Sequence, residues 1–235
     1  MYGNTAGLLS GYGSYLVCVL PALLFALWAQ FRVKSAFAKY AKVASERGMT
    51  GADAARMVLQ HGGVTNVPVE RVTGELTDHY DAKANVIRLS EKVFDARTAS
   101  AVGVAAHEAG HAVQYAESYA PVRIRSAIIP ATNIGSRLAG PLFILGIVFA
   151  FRPLCLIGVV LFGLAVLFQL VTLPVEIDAS RRALKALSEN GISEEGVKAA
   201  KSVLTAAALT YVAGLAVALG NFLRILTVAR NSGRR

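Results

Sequence analysis

Residues 103–114 read Gly103-Val104-Ala105-Ala106-His107-Glu108-Ala109-Gly110-His111-Ala112-Val113-Gln114. Apolar spacing through Ala99, Val102, Ala106, Ala109 and Val113 is that of a helix, and the small residues on both flanks belong to a buried one. Two of the chain's four histidines and a glutamate lie inside it. Burying such groups is costly without a partner such as a metal ion. In the pattern H-E-x-x-H the histidines stand four residues apart and share a helix face. His107 and His111 can therefore ligate one zinc at about 2.0–2.1 Å while Glu108 points at a water on the metal, as a general base for hydrolysis. The plainer alternative is a pair of histidines hydrogen-bonded within a core.

Two histidines supply half of a tetrahedral shell. No third histidine follows at the spacing H-E-x-x-H-x-x-G-x-x-H, which excludes the metzincin arrangement and sends the search elsewhere. The stretch Leu173-Pro174-Val175-Glu176-Ile177-Asp178-Ala179-Ser180-Arg181-Arg182-Ala183 offers a carboxylate. Pro174 suits the first turn of a helix ending near Gly191, on which Glu176, Ala179, Ser180, Ala183 and Leu187 share a face. A carboxylate among small residues lets a second helix come close, as a metal bridge between helices requires, so Glu176 is the candidate third ligand. The alternative is that Glu176 and Asp178 simply favour a helix N-terminus.

Further out, the chain is too apolar for an ordinary soluble protein: 54% of its 235 residues are hydrophobic and the mean hydropathy is +0.50. Residues 8–31, 134–151, 154–173 and 204–223 each have roughly the 17 to 25 apolar residues that a membrane-crossing helix needs. No Lys or Arg precedes Arg32, so the first stretch reads as a retained anchor and not a cleavable signal. Arg32, Lys34, Lys39, Lys42 and Arg47 follow it and place that side in the cytoplasm. Val33, Phe37, Tyr40 and Ala44 have the spacing of a surface helix lying along the anionic leaflet over residues 33–48. The formal net charge of +9 is then explained by lipid; basic charge diluted by acids, with no binding motif, argues against nucleic acid. Cys18 and Cys155 fall inside spans and read as inert thiols.

The polar region between the first two spans should hold the chemistry. Thr50 and Asp53 form an N-cap pair for a helix that runs to His61 and stops at Gly62-Gly63, which places His61 at a helix C-terminus, where the helix dipole and not a metal accounts for it. Residues 67–69, 75–80 and 86–89 read as strands of a small antiparallel hairpin or sheet, with a turn over residues 81–85.

Taken together, Leu76-Thr77-Asp78-His79-Tyr80-Asp81, Val86-Ile87-Arg88-Leu89-Ser90, residues 103–114 and Pro174 to Ala183 make the chain resemble the YugP-type neutral zinc metallopeptidases of bacterial membranes. These are distant relatives of the HtpX and CAAX prenyl protease group of gluzincins. The resemblance implies a zinc endopeptidase of the bacterial cell membrane; two histidines and one carboxylate completing a single shell give one zinc per chain. It also implies that the strands before the motif helix form the edge along which a substrate peptide lies, by strand addition. The relatives' E-x-x-x-D motif falls on Glu176 to Ser180, so a serine stands where the acid is expected; Asp178 or Asp78 is then the candidate support for a zinc histidine. His79, Tyr80 and Arg181 are possible oxyanion donors, each with a structural hydrogen bond as the equal alternative.

The expected fold is a mainly α membrane protein (α+β) of about four transmembrane helices with a small zincin-like domain containing a short antiparallel sheet and the H-E-x-x-H helix. Its divisions are an anchor (1–31), a catalytic region (32–133), a transmembrane hairpin (134–173), a ligand helix (174–203), and a C-terminal membrane helix with basic tail (204–235). The last apolar segment either crosses or lies in the interface. The expected function is zinc-dependent hydrolysis of peptide bonds in membrane or membrane-proximal proteins, on the cytoplasmic face. A scaffold with structural zinc is the rival, and a non-peptide amide is a further possible substrate; a structural site has no need of a base such as Glu108.

Overall fold

The computed structural model describes residues 13–74 and 77–232. In order, the elements are α1 (Leu20–Tyr40), a 3-10 turn (Glu46–Gly48), α2 (Gly51–His61), β1 (Val69–Val72), β2 (His79–Asp81), β3 (Val86–Ser90), α3 (Glu91–Phe94), α4 (Ala99–Ala116), α5 (Ala120–Val148), α6 (Arg152–Glu189) and α7 (Glu194–Ser232). Four helical stretches, Gly13–Tyr40, Ala120–Val148, Arg152–Glu189 and Glu194–Arg230, are long and apolar enough to cross a membrane.

The chain divides into two compact units. One comprises the described parts of residues 1–29, 124–172 and 210–235. Large apolar side chains such as Leu24, Leu27, Ile134, Ile144 and Val160 are exposed there, an arrangement suited to lipid and not to water. Phe143, Cys155, Val159 and Ile225 form its buried cluster. A β-carbon on Gly158 would lie 2.8 Å from that of Phe143, so glycine lets α5 and α6 meet closely. Both cysteines are free, Cys155 buried and Cys18 partly so.

The second unit comprises residues 30–123 and 173–209. The capping box of α2 is formed as the sequence suggests: Thr50 Oγ1 accepts from the Asp53 N–H at 3.1 Å and Asp53 Oδ2 accepts from the Thr50 N–H at 3.1 Å. Strand order in the sheet is β1-β3-β2, with β3 in the middle and Val86, Ile87, Leu89 and Ser90 buried. One core cluster joins Val58, Leu59, Ile87, Leu89, Ala105, Ala109, Val113, Ala183 and Leu187.

The structure differs from four local expectations. The sheet is mixed and not wholly antiparallel: β2 runs antiparallel to β3, but β1 runs parallel to it, with Val69 opposite Ile87. The first strand begins at Val69, and residues 75 and 76 of the expected second strand lie outside the described residues. Pro174 does not begin a helix but lies inside α6. A new helix start there would strand the last carbonyls and first N–H groups of two helices beside apolar side chains, whereas a continuous helix forgoes only one hydrogen bond. Nor do residues 33–48 form a separate surface helix. Helix α1 runs on to Tyr40, and the chain then turns so that the Val43 carbonyl accepts from Ala99 N and Ser45 N donates to the Arg97 carbonyl, with Ala44 bridged to Thr98.

Candidate metal centre

Thr98 begins α4 by accepting the Ala101 N–H on its hydroxyl, and the following run of alanine, glycine and valine buries most of the helix. The two imidazoles of the motif lie side by side, with ring centroids 4.7 Å apart. Glycine at position 110 leaves room for the backbone of α6 at Ala179. That proximity delivers Glu176 to the histidines: its Oε2 lies 3.2 Å from His107 Nε2 and 3.3 Å from His111 Nε2. One ligand atom from each of the three residues lies within 4.8 Å of the others.

These residues fit zinc. Ligands at about 2.0–2.1 Å around a tetrahedral ion stand about 3.3 Å from one another, close to the carboxylate–imidazole spacings here. Two neutral nitrogens and one carboxylate are also a donor set that zinc favours. The Glu176 side chain is 3% exposed, whereas His107 and His111 keep 13% and 12%, so the group is approached from the histidine side.

Each imidazole is held from behind. His107 Nδ1 lies 3.1 Å from Ser180 Oγ, the residue at the place of the expected acid. His111 Nδ1 lies 3.0 Å from Gln114 Oε1, and Gln114 Nε2 donates to the Val175 carbonyl and to Asp178 Oδ2, both at 2.9 Å. Asp178 in turn accepts from Arg181 and from Arg182 Nε, the latter at 2.6 Å. Of the two candidate supporting acids, Asp178 therefore reaches a histidine through an intermediary. Asp78 does not: it accepts from the Ser90 backbone N–H and hydroxyl. Gln114 is not among the sequence-predicted site residues; the signal for it is a polar side chain three residues after His111 in a run of small apolar residues.

Glu108 is partly accessible and accepts the Tyr80 backbone N–H of β2 on Oε2 at 2.9 Å. Burial, the main cause, pushes its carboxyl above the usual range; the charge of Glu176 adds to this, while the two histidines and the Tyr80 N–H oppose it. The Tyr80 hydroxyl donates to Asn85 Oδ1 at 2.7 Å, an exposed His79 contacts the Thr77 carbonyl at 2.6 Å, and Arg181 is engaged with Asp178. His61 stands outside the group, at the end of α2, paired with Glu189 at 3.3 Å.

The fold and this cluster define a helical membrane protein with a two-histidine, one-carboxylate group between two helices, backed by a small mixed sheet. The chain belongs to the family described as "Putative neutral zinc metallopeptidase", which matches residues 15–230. It is 45% identical over 218 residues to "Putative membrane protease YugP" of Bacillus subtilis (strain 168), covering 92% of this chain and 97% of that one. No solved structure matches it. Membership of this family implies zinc and a peptidase role.

Proposed function

We propose that this protein is a zinc-dependent endopeptidase acting on membrane or membrane-proximal proteins, with His107, His111 and Glu176 holding one zinc per chain and Glu108 as general base. The observation that carries the reading is the convergence of three ligand atoms within 4.8 Å, one turn of α4 bringing Glu108 beside them. Among the described residues no fourth His, Cys, Asp or Glu joins the group, which argues against a closed structural site, where four protein ligands are usual.

When bound, zinc would acidify a water molecule and polarise the scissile carbonyl. Glu108 takes the proton of the attacking water on its carboxylate and returns it to the departing amine. A carboxylate whose basicity burial has raised accepts a proton more readily than an exposed one, which suits the first of these steps. The Tyr80 N–H fixes one Glu108 oxygen and leaves the other to work. Strand β2 lies at the sheet edge beside this base, where an extended peptide can add as a further strand. The basic residues after the first span support a cytoplasmic site.

Purified protein in detergent, loaded with zinc, tests the mechanism against Glu108→Gln. The variant should keep its zinc and lose cleavage of a casein-like or membrane substrate by at least about 100-fold. Cleavage at the wild-type rate would overturn the mechanism.

A further inference from the structure

We infer that Gln114 is a positioning residue for the metal centre: its amide, locked by Asp178 and the Val175 carbonyl, holds His111 in the tautomer whose Nε2 lone pair faces the metal. The inference rests on the reading of His111 as a ligand. Gln114 Nε2 stands 2.9 Å from a carbonyl oxygen and 2.9 Å from a carboxylate oxygen, two groups that only accept. The amide –NH2 must therefore face them, since the reversed amide would oppose acceptor to acceptor twice. Oε1 is left facing His111 Nδ1 at 3.0 Å, and it too can only accept. A neutral His111 ring accordingly carries its proton on Nδ1. Nε2, 3.3 Å from Glu176, is then the atom with a free lone pair.

Full burial makes the arrangement stringent, because Gln114 has no exposed surface through which water could satisfy a misplaced amide. Asp178 is itself anchored by Arg182, which also donates to Glu117 at 2.6 Å. A glutamate at position 114 would accept from His111 equally well but would face Asp178 with like charge, which explains an amide here. His107 lacks such a device. The Ser180 hydroxyl can donate or accept, so it supports that ring without selecting a tautomer. Asp178 thus orients the imidazole of His111, through an amide, and does not reach that of His107 in this way.

The test uses the full-length protein in detergent, with two readouts. Nitrogen-15 NMR of histidine-labelled, zinc-free protein, with the pH raised until the His111 ring carries a single proton, reports the His111 tautomer; the signal is assigned by its loss in His111→Asn. Zinc affinity is read by competition with a chromophoric chelator. We expect wild-type His111 to carry its proton on Nδ1. Gln114→Met, apolar and of similar volume, should populate both tautomers and bind zinc about 10–100-fold more weakly. Asp178→Asn, which keeps an acceptor for the amide, should lose less affinity than Gln114→Met. A wild-type His111 protonated on Nε2 would overturn the inference whatever any variant does, including one that fails to fold. So would Gln114→Met binding zinc as tightly as wild type. If wild type binds no zinc, the metal-centre reading fails, while the tautomer still decides the role of Gln114.

Discussion

A β-carbon on Gly110 would lie 2.4 Å from the carbonyl oxygen of Ala179. Backbone meets backbone at this point, so no side chain can rotate away to make room, and the two helices carrying the proposed ligands can come together only over a glycine. Gly110→Ala should therefore destabilise the protein by at least the ~1–3 kcal/mol usual for overpacking, and should also weaken zinc binding by pushing Glu176 away from the histidines. Gly103→Ala is the control, because its β-carbon would come no closer than 3.4 Å, to Ala200. Thermal unfolding and bound zinc per chain should separate the two variants. Equal zinc content in Gly110→Ala and wild type would show that the helix contact does not set the site.

Metal analysis addresses the ligands directly. Wild type should carry one zinc per chain, and His111→Ala and Glu176→Ala should each lose it, because two remaining protein ligands hold zinc far less tightly than three. A folded Glu176→Ala protein with full zinc and activity would mean that the third ligand lies elsewhere.

Acid should loosen the strand that positions Glu108. Asp81 accepts from the backbone N–H groups of Ala84 and Lys83 and from Arg88, and these bonds, the Ala84 bond first, pull its carboxyl down to about 2. A depressed folded value means that the stabilisation is complete above the unfolded pKa of about 3.9 and disappears as pH falls through about 2. Asp81→Asn should accordingly melt below wild type at pH 7, and the difference should narrow between about pH 4 and pH 2. A constant difference across that range would show that the Asp81 charge plays no part.

Sidedness follows from the positive-inside argument and can be read by cysteine labelling on a background lacking Cys18 and Cys155. Lys83→Cys, exposed in the β2–β3 turn, should react only after cells are permeabilised, whereas Gly3→Cys should react from outside. The opposite pattern would move the proposed active site across the membrane.

The sequence by itself determined what depends on near neighbours. Hydrophobic length marked the four long helices, because a bilayer has a fixed thickness and its interior admits no unpaired backbone. The capping pair Thr50 and Asp53 and the four-residue spacing of His107 and His111 were legible for the same reason, since helical geometry alone brings such residues together. Glu176 stood out in the sequence as a carboxylate among small residues, and the structure places it beside both histidines. Only the tertiary structure decided the parallel pairing of β1 with β3, the passage of α6 through Pro174, and the partners behind the two histidines. Gln114 reaches Val175 and Asp178 across more than sixty residues of chain. No local rule specifies whether Ser180 or Asp178 will stand behind which ring, because that depends on how α6 lies against α4. That register is set by how closely Gly110 lets Ala179 approach, a property of two helices packed together that neither segment expresses alone.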